Sequence, residues 1–185
     1  TKKSLGNMSD YCKSEDNPRE NRKKLLEILE LTDRTGIESH QTHSNNIKII
    51  NNHVNRYSYH GIDGFVTDRK DVALFTFYAD CLSLFIYDME NKAIGVAHSG
   101  WPGTYKEIQK NLLETMTKQY GTNPKNVLVN WYVHDVVSLG VNPVGYAGWA
   151  HESMPMFKEM KDIPVVEKWE KEELLSYDPD LIITY

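Results

Sequence analysis

The chain has 185 residues, 40% hydrophobic and 25% charged, with 11 Gly and 7 Pro. Collagen-like, low-complexity and disordered classes are excluded, and no apolar run approaches the ~18 residues of a membrane span. The net charge of −5 sits almost wholly in residues 152–180, which carry nine acidic and four basic side chains. A basic stripe able to neutralise a phosphate backbone is missing, which argues against a nucleic-acid partner. The polar start Thr1-Lys2-Lys3-Ser4 leads into no apolar segment, so a soluble, cytoplasmic chain is expected. The two cysteines, Cys12 and Cys81, do not suggest a disulfide framework.

Residues 1–17 are polar and patternless. Asn17-Pro18-Arg19-Glu20 then combines an Asn N-cap, Pro at the first helical position and Glu at the capping-box position. Leu25, Leu26, Ile28 and Leu29 give an apolar stripe, and the helix ends at Asp33 to Gly36. Its Lys/Arg face reads as solvated, without partners. From Ile47 the pattern turns to strand: Ile47–Ile50, Phe65–Thr67, Val72–Phe77, Leu82–Tyr87 and Ala93–Ala97. Their near-continuous apolar character predicts strands covered on both faces. Thr104 with Glu107 predicts a second helix, with Ile108, Leu112, Met116 and Tyr120 on one face and Gly121 at the stop. Val127–Val129 returns to strand.

Beyond Asn130 the texture changes. A helix end at Asp135–Gly140 is followed by a strand at Pro143–Tyr146, and a short helix at Met156–Met160 by a strand at Ile163–Val166. A helix at Glu170–Leu175 and a strand at Leu181–Tyr185 complete the section. The prediction is therefore an α/β chain: a layered domain with a mixed sheet over residues 1–130, then a short parallel βαβ segment over 131–185. The abrupt break at Asn130 favours an independent graft, so that a chain ending there would stay folded.

The strongest chemical constellation is His43, Cys81 and His98, all at predicted strand ends, where α/β sheets gather functional groups. Two imidazoles and a thiolate make a three-ligand zinc set with the fourth tetrahedral position open. The gaps of 38 and 17 residues lack the local geometry of a strong zinc motif. Spacing alone leaves open a buried free cysteine with two ordinary loop histidines. Asp80 reads either as a general acid/base or as a turn cap, and Ser99 as a substrate contact or a plain Gly-rich-turn serine. Trp101 reads as a core aromatic or as a wall for a purine. His40, His53 and His60 read as solvated loop residues.

Gln41-Thr42-His43-Ser44, Asp63-Gly64-Phe65-Val66-Thr67-Asp68, Ala79-Asp80-Cys81 and Ala97-His98-Ser99-Gly100-Trp101 resemble, in order and spacing, the laccase-domain (polyphenol-oxidase-like) family. The resemblance spans about residues 1–130. Its members were first named as multicopper-type oxidases and are now regarded largely as purine nucleoside phosphorylases with adenosine deaminase side activity. It implies zinc, with copper as the alternative, held by His43, Cys81 and His98. Asp80 and Ser99 stand as catalytic candidates and Gln41 and Trp101 as substrate-binding candidates, while the resemblance implies a purine nucleoside, with phosphate, as partner. Where the family usually reads His-Ala-Gly-Trp-Arg-Gly, this chain has Pro102 in the Arg position, which removes a natural anion clamp. The family's Gly-Pro-rich continuation is replaced by Asn130-Trp131-Tyr132-Val133. Val137–Tyr146 and Leu174–Thr184 instead resemble the N-terminal lobe of iron-siderophore substrate-binding proteins. That implies a siderophore as partner if the tail functions, and a chain of composite, chimeric character. Within the tail, Tyr146 and Trp149 read as core residues in preference to siderophore contacts.

Overall fold

The computed structural model describes residues 3–11, 15–51, 57–123, 127–130, 143–147, 160–179 and 181–184. Helix α1 (Pro18–Ile28) starts as its sequence dictates: the Asn17 side chain accepts from the Glu20 N–H, and Pro18 sits in the first turn. Strands β1 (Thr35–His40), β2 (Ile47–Ile49), β3 (Ser58–His60), β4 (Gly64–Thr67), β5 (Val72–Leu74), β6 (Leu82–Asp88) and β7 (Ala93–Ser99) follow. Then come helices α2 (Trp101–Tyr105) and α3 (Ile108–Tyr120), and strands β8 (Val127–Asn130) and β9 (Pro143–Ala147). Helix α4 (Lys171–Ser176) and strand β10 (Leu181–Thr184) complete the described elements. No helix among the described residues is long and apolar enough to cross a membrane.

Two sheets form. A small parallel sheet has the order β3-β1-β5, and a mixed seven-stranded sheet has the order β2-β4-β7-β6-β10-β8-β9. Ile108, Leu112, Leu113 and Met116 of α3 pack on one face of the large sheet with Leu84, Ile86, Ala97 and Leu181. Contact is close because β7 has Gly95 there: a Cβ would lie 2.7 Å from Met116 Sδ. A second cluster, Ile37, Ile50, Phe65, Val72 and Val96, joins the two sheets. The mixed, layered α/β architecture is as expected.

Several local expectations are corrected. β1 and β3 lie where no strand was expected. β1 is pinned between β3 (Glu38↔Ser58 to His40↔His60) and β5 (Thr35↔Val72 to Ile37↔Leu74). β6 alternates: Leu84, Ile86 and Asp88 are buried while Phe85 and Tyr87 face outward, so one of its faces is open. The Thr104–Glu107 capping box does not form. Thr104 lies inside α2 and its hydroxyl donates to the Gly100 carbonyl, while Glu107 takes a left-handed φ of 59° ahead of α3. The basic face of α1 is not wholly solvated either. Arg22 is buried and pairs with Asp10 at 2.9 Å and Glu38 at 3.0 Å, as a buried guanidinium must.

The tail also behaves differently from an independent graft. β10 runs antiparallel to β6 (Leu181↔Asp88 to Thr184↔Phe85) and parallel to β8 (Leu181↔Val127 to Ile183↔Val129). It therefore fills the middle of the large sheet, with Leu181 fully buried. β8 and β9 pair in parallel. Ile163–Val166 forms no strand, only a bridge between Tyr146 and Val165. Tyr146 packs in the core at 4% exposure. The expected helices at Asp135–Gly140 and over most of Met156–Met160 lie outside the described residues, as do Cys12, His53, His134, Trp149 and His151.

Candidate metal centre

Three chain segments converge at the C-terminal end of β7. His43 lies three residues beyond β1, Cys81 immediately precedes β6, and His98 is the penultimate residue of β7. One ligand atom from each lies within 4.8 Å of the others. Cys81 Sγ and His43 Nε2 are 3.7 Å apart. A tetrahedral ion with ~2.3 Å bonds to sulfur and ~2.0 Å bonds to nitrogen holds such atoms about 3.6 Å apart, so the pair already has a metal's spacing. His98 is buried, Cys81 half-buried and His43 exposed. The cluster therefore opens on one side, the arrangement of a catalytic rather than a closed structural site.

Asp63, just before β4, organises the cluster from behind. It is fully buried, and His98 Nδ1 lies 2.9 Å from its Oδ1. The ionised carboxylate can only accept, so Nδ1–H donates and His98 Nε2 keeps its lone pair for a metal. The same carboxylate accepts from the backbone N–H groups of Thr42, His43 and Ser44 at 3.1, 3.0 and 2.8 Å, and from the Ser44 hydroxyl at 2.6 Å. Residue 43 takes a left-handed φ of 56°, which turns consecutive N–H groups to one side as a nest around the carboxylate. Burial pushes the Asp63 carboxyl up, but hydrogen bonds from His98, Ser44 and Thr42 outweigh it and leave the pKa at about 2. Asp63 thus stays charged and fixes two of the three ligands. Sequence reasoning missed it as a site residue. The available signal was an acid flanked by Ile62 and the strand Gly64–Thr67, where an unpartnered charge is too costly to bury.

Gly100 leaves the room the cluster needs. A Cβ there would lie 2.2 Å from His43 Cδ2 and 3.3 Å from Cys81 Sγ. Gly100→Ala is therefore expected to displace the His43 ring and weaken metal binding at least tenfold. The far-ultraviolet circular dichroism should stay native, because the clash meets a side chain on the exposed side of the cluster. Metal titration followed by dichroism checks both halves.

The other site candidates divide. Gln41 spends both ends of its amide on Phe77, donating to its carbonyl at 2.8 Å and accepting from its N–H at 2.7 Å. This ties the segment before His43 to the one before Cys81. Ser99 is 4% exposed, and its hydroxyl pairs with Thr104 Oγ1 at 2.7 Å. Asp80 is exposed beside Cys81. Trp101 is 80% exposed at the start of α2, so it is no core aromatic. His40 ends β1 half-buried, with Tyr11 stacked on it, and is no solvated loop residue. An open cleft of about 1620 Å³ runs from the cluster across the open face of β6, lined by His43, Cys81, His98, Tyr78, Asp80 and Phe85 among others.

The family model described as multi-copper polyphenol oxidoreductase laccase matches residues 4–131. The chain belongs to this laccase family. It is 31% identical over 114 residues to purine nucleoside phosphorylase YlmD of Bacillus subtilis, covering 58% of this chain and 41% of that one. A Staphylococcus epidermidis purine nucleoside phosphorylase is 41% identical over 61 residues, 33% of this chain and 23% of that one. Among solved structures, the Bacillus licheniformis hypothetical protein YfiH superposes with a TM-score of 0.59 at 28% identity, over 64% of this chain and 47% of that one. YlmD of Geobacillus stearothermophilus, at 24% identity and a TM-score of 0.58, shares the fold. The chain spans less than half the length of these laccase-family relatives.

Proposed function

We propose that the His43, Cys81 and His98 cluster holds zinc and serves the chemistry of purine nucleosides, namely phosphorolysis and deamination of adenosine. The observation that carries this reading is the open His/Cys/His cluster, with His98 backed by a carboxylate as in zinc enzymes, in a chain whose relatives are named purine nucleoside phosphorylase. When bound, zinc in such a three-ligand site lowers the pKa of water and polarises a substrate oxygen. The rest falls to the chain itself. Asp63 holds His98 in the ligating tautomer and keeps the His43 loop in place. Asp80, exposed beside Cys81 and lining the cleft, is a carboxylate that can take or return a proton there. Gln41, which lines the cleft, ties the two ligand-bearing segments together through Phe77 and keeps a second amide N–H for substrate.

Pro102 shapes the balance between the two reactions. A guanidinium next to the cluster would clamp phosphate, and proline offers no donor. Deamination, which needs no second anion, is expected to outlast phosphorolysis. The test is an assay of adenosine and inosine with and without phosphate on metal-loaded protein, alongside Pro102→Arg. Ammonia release from adenosine in the parent protein, and a selective rise in phosphate-dependent base release in Pro102→Arg, are the expected results. No turnover of either nucleoside in protein carrying one zinc per chain would end this reading.

A further inference from the structure

Residues 6–11 form a strap alongside the same cleft. It is tied down unusually well for an irregular segment. The Asn7 N–H donates to Asp16 at 2.7 Å, Asn21 Nδ2 donates to the Asn7 carbonyl at 2.8 Å, and the Arg22 guanidinium donates to the Met8 carbonyl. Arg22 also bridges Asp10 on the strap to Glu38 on β1, two residues before His40. The result is that the Tyr11 ring lies flat against the His40 imidazole, with centroids 4.1 Å apart and planes 20° apart. His40 in turn abuts His60 edge-on at 4.8 Å. Both Tyr11 and His40 line the cleft that contains His43, Cys81 and His98. Tyr11 nevertheless remains 49% exposed.

A half-exposed tyrosine is usually mobile, and fixing it costs side-chain entropy. Here the Arg22 ion pairs anchor the segment and the stacked His40 imidazole holds the ring, so an arriving flat ligand need not. A preorganised aromatic face inside a cleft is suited to stacking a heteroaromatic ring, which gains from any base's π-face and needs no particular hydrogen-bond edge. We propose that Tyr11, held flat on His40, is the stacking platform for the base of the ligand that enters this cleft. The inference rests on the nucleoside reading above and names the residues that recognise the base.

The experiment is calorimetric titration of the zinc-loaded full chain with adenosine, in the parent, Tyr11→Ala and Tyr11→Phe. Tyr11→Ala should raise the adenosine Kd about tenfold, the lower part of the range for losing one base–aromatic stack, and should raise KM with little change in kcat. Zinc content and melting temperature should stay at the parent values, which separates loss of stacking from loss of structure. Tyr11→Phe should bind as the parent does, because the ring and not the hydroxyl carries the contact. Parent protein that binds adenosine, with Tyr11→Ala binding equally well, overturns the platform and leaves the nucleoside reading standing. Weakening in Tyr11→Phe equal to that in Tyr11→Ala also overturns it. Parent protein that binds no adenosine overturns both.

Discussion

Cys81→Ala protein is expected to lose its bound metal and its turnover together while melting close to the parent's metal-free temperature. The thiolate is the ligand that most favours zinc over harder cations. Its removal leaves two imidazoles, one of them exposed, and two ligands do not hold a catalytic ion. Cys81 lies outside both buried clusters, so the apo fold should tolerate the change to within about 1 kcal/mol. Asp63→Asn makes the graded comparison. It keeps all three ligands but disturbs the tautomer of His98 and the nest around residue 43, and loss of such an outer partner costs about 10–100-fold in metal affinity. Elemental analysis should therefore rank the parent above Asp63→Asn and Asp63→Asn above Cys81→Ala. One zinc per chain in Cys81→Ala would remove Cys81 from the site.

Deleting residues 181–184 is expected to abolish cooperative unfolding altogether. β10 hydrogen-bonds to β6 on one side and β8 on the other, so its loss opens the large sheet at its middle and strips backbone partners from both neighbours. Leu181 is fully buried, and Leu181→Ala alone should cost about 2–5 kcal/mol, a large share of a typical 5–15 kcal/mol stability. Urea unfolding of Leu181→Ala and thermal scans of the deleted chain check the two levels. An unchanged single transition in the deleted chain would show that the first seven strands fold without the tail.

The convergence of His43, Cys81 and His98 was legible from the motifs that carry the family resemblance, because the gaps between them in sequence are too wide for local spacing to join them. Asp63 was quiet because its partners, Thr42, His43, Ser44 and His98, lie 19 to 35 residues away, and no local pattern announces a bond across that distance. β1 was missed for a related reason. Thr35–His40 has one fully apolar member, Ile37, and it carries Glu38, whose charge is tolerated only because Arg22 arrives from α1. The tie from Gln41 to Phe77 was not legible, because a free amide and a backbone-mimicking amide read identically until Phe77 is in place. The tail was misjudged in proportion to how foreign its sequence looked. Sheet membership is settled by edge pairing and buried area: Leu181–Thr184 pairs with β6, and Leu181 is fully buried.

The position of β10 also bears on how the chain acquires its structure on the ribosome. β6 ends at Asp88 and its β10 partner begins at Leu181, 93 residues later. At about 5–20 residues per second, β7 can pair with one edge of β6 long before synthesis supplies a partner for the other. For several seconds the nascent chain carries an open strand whose alternate side chains, Leu84 and Ile86, belong to the core. Such an edge is a template for the same strand of a neighbouring nascent chain. Exchange of β10 between two copies would satisfy both, so a strand-swapped dimer is the misassembly expected of this chain when many copies are made at once.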